Sequence, residues 1–225
     1  MTTLLAIDNY DSFTYNLVQM FMRYDLSIEV VRSDQVTLQQ VAAIRPDYLL
    51  VSPGPKDPAH AGISKRLIER FYQTIPIFGV CLGMQCINEV FGGRTVPAPA
   101  PMHGKTSRVI HHQDGLFCGI PSPFRVARYH SLAVEPSAAA LKDALVVTGR
   151  TGDGTIMGLS HRCCPLHGVQ FHPESFLTEH GFGVIENFLG LGPLKTALAA
   201  GPRQVNALAY QPLETGPAIG MAGCC

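Results

Sequence analysis

At 225 residues, with 46% apolar residue types, the chain suits one sizeable α/β domain with a well-filled core. Seventeen Lys and Arg balance seventeen Asp and Glu, and this formal neutrality argues against a general nucleic-acid or anionic-membrane binder, which needs a basic surface. Seven cysteines, odd in number and without a C-x-x-C pair, do not read as a secreted disulfide framework, and no apolar run is long enough to span a bilayer.

Taken in order, residues 4–7 read as a buried first strand that follows Met1-Thr2-Thr3 directly, without a basic leader. A protein of a reducing cytoplasm is therefore expected. Asp8-Asn9-Tyr10-Asp11-Ser12 is a polar turn rich in capping residues, and 13–24 continues with helical periodicity. Residues 28–31 form a second short strand. Thr37 can cap a helix running to Ile44, which Pro46 ends. Residues 48–51 are an all-apolar third strand, as expected where both sheet faces are covered. It runs into Ser52-Pro53-Gly54-Pro55, a stiff loop, and 63–72 is helical again.

Residues 77–80 form the fourth strand and end at Cys81, within Gly79-Val80-Cys81-Leu82-Gly83-Met84-Gln85, with a helical segment at 85–91. This is the layout of a nucleophile elbow: a reactive residue on a tight strand-to-helix turn. Flanking glycines suit unusual dihedrals and a turn with no room for a β-carbon, and the helix start aims N–H groups at the sulfur. Alone, the pattern fits a buried strand-end cysteine equally well.

Strands alternating with helices at this spacing imply parallel β-α-β units and an α/β, doubly wound, mostly parallel mixed sheet in three layers, with a flavodoxin-like core. Ligands in such sheets bind beyond the carboxyl ends of the strands, where Asp8, Ser52 and Cys81 all fall. After Gly92-Gly93 the texture changes to short β-like pieces at 106–110, 124–129, 144–148, 156–159 and 167–171, with a helix at 182–189. The organisation expected is one domain over 1–191 and a loosely held Gly/Pro/Ala-rich tail over 192–225.

A thiolate nucleophile needs a base. Of nine histidines, His172 follows the strand piece Gly168-Val169-Gln170-Phe171 and so also sits at a carboxyl end. Glu174 lies two residues on, and i and i+2 point the same way in an extended segment, so it can orient the imidazole. Oxyanion donors can be drawn as the N–H of Leu82 and the N–H of Gly54, the one donor between Pro53 and Pro55.

S-P-G-P at 52–55, G-V-C-L-G-M-Q at 79–85, R-Y-H-S-L at 128–132 and G-V-Q-F-H-P-E-S at 168–175 resemble the class I glutamine amidotransferases. D-N-Y-D-S-F-T-Y-N-L at 8–17, M-H-G-K-T-S at 102–107 and L-T-E-H-G at 177–181 are similar to the amidotransferase subunits of anthranilate and aminodeoxychorismate synthases. That resemblance runs from Leu4 to about Leu189. It implies that Cys81 forms a γ-glutamyl thioester, that His172 is base and then acid with Glu174 as its partner, and that Gln85, Ser131 and Leu132 join Gly54 and Leu82 in holding glutamine. It also implies delivery of ammonia to a chorismate-using synthase subunit, with the loop at 9–12 near that interface, and no cofactor or metal. Two other readings are a free-standing γ-glutamyl cysteine hydrolase and a mainly docking or regulatory subunit.

Two departures stand out. Gln113 replaces a usual glycine, which bears on the local turn, and Met84 stands where histidine is common. His161-Arg162-Cys163-Cys164-Pro165-Leu166-His167 looks superficially like a metal cluster, but a hairpin turn suits it better. Cys86 is expected in the core, Arg125 and Arg128 are expected to be solvated, and Cys224-Cys225 is not a CaaX box.

Overall fold

The computed structural model describes residues 1–194 and 206–207. The first strands are β1 (Thr2–Asp8), β2 (Leu26–Arg32), β3 (Tyr48–Val51) and β4 (Ile77–Val80), with helices α1 (Thr14–Phe21), α2 (Leu38–Ile44), α3 (Ser64–Phe71) and α4 (Leu82–Val90) among them. There follow β5 (Arg94–Pro97), β6 (Lys105–His111), β7 (Phe124–Arg128), β8 (Leu132–Glu135), α5 (Ala138–Asp143), β9 (Leu145–Thr151), β10 (Ile156–His161), β11 (Leu166–Val169), α6 (Gly181–Leu189) and β12 (Asn206–Ala207).

Ten strands form one sheet in the order β12-β2-β1-β3-β4-β11-β10-β9-β6-β7. Neighbours run parallel from β12 through to β11 and antiparallel from β11 to β7. The expected parallel β-α-β half is thus present, and the short β pieces of the second half extend the same sheet as hairpins. β5 and β8 pair separately. These two strands and α5 went unread in the sequence. Of the tail expected from 192, only 192–194 and 206–207 are described, and the pair Asn206–Ala207 lies parallel to β2; the remainder is outside the described residues.

Strand alternation builds the three layers. Leu4 and Ala6 of β1 face Leu17, Phe21, Val184 and Phe188 from α1 and α6, whereas Leu5 and Ile7 face Val41, Leu67, Ile68 and Ile87 from α2, α3 and α4. Thr37 closes the start of α2 with a full capping box, its hydroxyl accepting from Gln40 N–H while the Gln40 side chain accepts from Thr37 N–H. The Cys86 side chain belongs to the second apolar layer, where burial pushes its thiol pKa up. His161-to-His167 is the expected hairpin: His161 Nδ1 accepts from the N–H groups of Cys163 and Cys164, and His167 Nδ1 lies 2.7 Å from Ser160 Oγ.

α4 lies unusually close to the sheet. A β-carbon on Gly83 would come within 2.4 Å of the Val51 carbonyl oxygen, and one on Gly79 within 2.6 Å of the Gly83 backbone. Neither glycine has a positive φ, so of the two expected reasons for glycine here the unusual dihedrals do not apply, and the lack of room for a β-carbon does. Gly83→Ala therefore has no side chain that can yield, and is expected to cost about 1–3 kcal/mol in urea unfolding. An unchanged midpoint would show that α4 is free to back away from β3.

Candidate active site

β3, β4 and β11 end side by side, and β4 pairs in register with β11 through Gly79 with Gly168 and Val80 with Val169. The residues one step beyond are Cys81 and Gln170. Cys81 N–H donates to Val169 O at 2.8 Å, so the elbow is fastened to β11 just before the chain turns into α4. Cys81 itself has φ 52° and ψ −100°, a strained backbone for a residue with a β-carbon. α4 starts at Leu82, three residues earlier than the periodicity suggested, so Cys81 stands directly at its N-terminus. The Leu82 N–H is among those that a helix leaves without an intrahelical acceptor, and the helix end carries partial positive charge toward the sulfur.

His172 lies three residues past β11. Its N–H donates to Ala127 O at 3.1 Å, and its carbonyl accepts from Thr178 Oγ1 at 2.6 Å, which ties it to β7. Its Nδ1 is 2.6 Å from Glu174 Oε1, and both side chains are almost wholly buried. Nε2 has no hydrogen-bond partner among the described residues, yet the Cys81 thiol is near enough to stabilise the charged ring. Burial works against that charge, and Cys81 and Glu174 more than offset it, holding the His172 pKa up at about 10. Phe13 and Tyr129 press on the ring, with centroids 5.3 and 5.1 Å away.

Gly54 comes close to the elbow from the loop after β3. A β-carbon there would lie 2.5 Å from Leu82 Cδ2 and 2.7 Å from Asn9 Cβ, so the residue must be glycine for steric reasons. Asn9 links the loops, donating from Nδ2 to Ser52 O and accepting at Oδ1 from Ser64 Oγ. Asp8, by contrast, turns into its own loop: it accepts from Tyr10 N–H and Thr14 Oγ1 and pairs with Arg32 at 3.2 Å. Gln85 is buried one turn along α4, and its Nε2 donates to Gln170 Oε1 at 3.3 Å. Gln170 Nε2 in turn donates to Cys81 Sγ at 3.4 Å. Ser131 is exposed and Leu132 half-buried at the start of β8, next along the chain from Tyr129 and His130.

Arg128 corrects the sequence reading. It is 1% exposed, not solvated. Its Nε donates to His130 Nε2 at 3.0 Å and its Nη1 to Ser107 Oγ at 3.0 Å, with Asp153 3.9 Å away. Burial and the guanidinium push His130 down to about 4, and a neutral ring with its proton on Nδ1 fits the contact to Leu132 O at 2.8 Å. Arg125 is exposed as expected, paired with Glu179. Of the two departures, Gln113 takes a left-handed φ of 61°, the conformation a glycine there would supply freely, and Met84 is buried against Gly168. Phe13, Tyr129, His130 and Gln170 were missed. Gln170 had a signal: the alternation that links His172 to Glu174, carried back two places, points to it.

The buried histidines give a pH prediction with two signs. His130 and His167 are held near 4 in the fold, each chiefly by burial, so the unfolded chain takes up protons first on acidification. Their contribution is intact above the unfolded value of ~6.5 and is lost as pH falls toward about 4, at up to ~1.4 kcal/mol per pH unit for each ring. His172 acts oppositely: its stabilisation is full below ~6.5 and fades as pH rises through about 10. Urea unfolding across this range should show both slopes, and His167→Asn should flatten only the acid one. An acid limb of equal steepness in that variant would contradict the assignment.

Residues 5–190 match the profile of the class I glutamine amidotransferases. The chain is 52% identical over 187 residues to a protein of Azospirillum brasilense named anthranilate synthase component 2, covering 83% of this chain and 94% of that one. It is 47% identical over 186 residues to a Bacillus subtilis protein named aminodeoxychorismate/anthranilate synthase component 2, covering 83% and 95%. A solved structure from Thermoplasma acidophilum, described as belonging to a GMP synthase, shares the fold with a TM-score of 0.74 at 24% identity, covering 85% of this chain and 94% of that one. With a strained cysteine at the elbow between β4 and α4, and relatives this close along nearly their whole length, the chain belongs to the class I glutamine amidotransferase family.

Proposed function

We propose that this chain is the glutaminase subunit of a chorismate-using synthase, and that Cys81, His172 and Glu174 carry its chemistry. The observation that supports the triad most is the placement of Cys81 and His172 beyond two adjacent parallel strands, with Glu174 on the far nitrogen of the imidazole. In this reading the Cys81 thiolate attacks the side-chain amide carbon of glutamine, and the N–H groups of Leu82 and Gly54 receive the negative oxygen. His172 then gives its proton to the nitrogen as the C–N bond breaks, because an amide nitrogen leaves readily only when protonated. Ammonia departs and a γ-glutamyl thioester remains. Water attacks that thioester, His172 takes the water's proton, and glutamate leaves with regeneration of the thiolate.

Gln85, Ser131 and Leu132, with Gly54 and Leu82, are the proposed glutamine contacts. No metal or other cofactor enters the scheme. Ammonia released into water near neutral pH would mostly become ammonium, which is a poor nucleophile, so the product calls for a partner that takes it directly. The names of the relatives support a component 1 that converts chorismate, and the loop at 9–12 lies at the same sheet end as the thiol. The Bacillus subtilis relative carries both acceptor names, so anthranilate and aminodeoxychorismate synthesis are equally open products. A cytoplasmic setting and a domain ending near 191 complete the proposal.

In complex with a candidate synthase, Cys81→Ser should abolish product formation from glutamine while added ammonia still supports it; loss of both would mean a structural cysteine. Glu174→Gln should keep the ammonia-dependent rate and lower the glutamine-dependent one by roughly 10²-fold or more, since the imidazole loses its orienting charge. A rate within about twofold of the parent would remove Glu174 from the mechanism.

A further inference from the structure

We propose that Gln170 is a positioning residue of this site, one that holds the Cys81 sulfur with one end of its carboxamide and sets the orientation of the Gln85 amide with the other. The inference rests on the reading of Cys81 as nucleophile. Gln170 is fully buried, its backbone N–H donates to Met157 O at 3.1 Å, and its side chain spans the gap between β11 and α4. One carboxamide end meets Cys81 Sγ at 3.4 Å and the other meets Gln85 at 3.3 Å.

The chemistry of the groups fixes which end is which. A thiolate accepts hydrogen bonds and cannot donate, so the end at sulfur must be the NH2. The opposite end is then the carbonyl oxygen, and Gln85 can meet it only with its own NH2. That leaves Gln85 Oε1, an acceptor, for a ligand that donates, which is the chemistry of the ammonium or amide N–H groups of an amino-acid amide. The sulfur thus sets the polarity of the substrate pocket through two carboxamides in series. Removing the link does two things at once: the thiolate loses a neutral donor that stabilises it without adding charge, and Gln85 becomes free to turn over.

The titratable and charged groups facing the thiol are His172, from the segment after β11, and Glu174 behind it; beyond them lie His130 and Arg128, from the end of β7 and the residues after it. The Gln170 carboxamide bonds to Cys81 and Gln85 rather than to any of these four. Its effect is therefore separable from theirs by substitution.

The test is the pH dependence of iodoacetamide alkylation at Cys81 in the full chain, read by peptide mass spectrometry, together with the KM for glutamine in the synthase complex. Gln170→Met keeps the size of the side chain and removes both polar ends. It should raise the alkylation midpoint by about one pH unit, slow alkylation near neutral pH about tenfold, and raise KM severalfold. Gln170→Glu should alkylate more slowly still at mildly alkaline pH, where a carboxylate sits beside sulfur, and should recover relative to the parent on acidification, when the carboxyl can donate. Thermal unfolding of both variants separates this from packing. A lower Tm with an unmoved alkylation midpoint and KM would overturn the proposal and leave Gln170 a core residue. A parent thiol that is inert at every pH would overturn the nucleophile reading as well.

Discussion

The hydrogen bond from Cys81 N–H to Val169 O joins the end of β4 to the end of β11, and so brings residues from opposite halves of the chain together at one end of the sheet's central strands. Because the two strands are parallel and in register, the chain that leaves each one starts from the same level. One turns at once into α4, which is possible only because Gly79 and Gly83 let a helix backbone rest against a strand backbone. The other carries Gln170, His172 and Glu174 past the sulfur. A helix held farther from the sheet would take Leu82 away from Gly54.

That arrangement concentrates opposite electrostatic environments in a small space. His172 lies between a thiol and a carboxylate and is held in its charged form. His130, a few residues beyond the strand that tethers His172, lies beside a buried guanidinium and is held neutral. Both rings are buried, so burial alone cannot account for the difference; the neighbours do. The neutral His130 also gives Arg128 an acceptor that a charged imidazole could not provide. Arg128 is thereby buried as a hydrogen-bonded side chain, with the half-exposed Asp153 carboxylate 3.9 Å away.

The parallel half of the fold was legible because each strand there is short, apolar and bounded by capping or turn residues; β3 and β4 have the bounds their apolar runs predict. The placement of Cys81, His172 and Glu174 was legible for a related reason, since each sits at or just past a strand end and the i, i+2 rule holds in extended chain. β5 and β8 were not, because they pair only with each other and are half-exposed, so neither an apolar run nor a clean alternation marks them. α5 had its Ser137 cap and an alanine run in plain view. Arg128 misled because an arginine on a strand is ordinarily solvated, and one of its partners, Ser107, becomes a neighbour only when β6 and β7 pair; the other, His130, lies only two residues on. Phe13 and Tyr129 likewise meet His172 only across the fold.

The claim on which the account turns is that one sulfur is activated by one imidazole to attack an amide. Treatment of the assembled enzyme with a chloroketone analogue of glutamine, followed by peptide mapping, tests it directly. The account predicts a single covalent adduct on Cys81, prevented by glutamine and absent when His172 is replaced by alanine. An adduct on another residue, or inactivation with the Cys81 peptide unmodified, would contradict it.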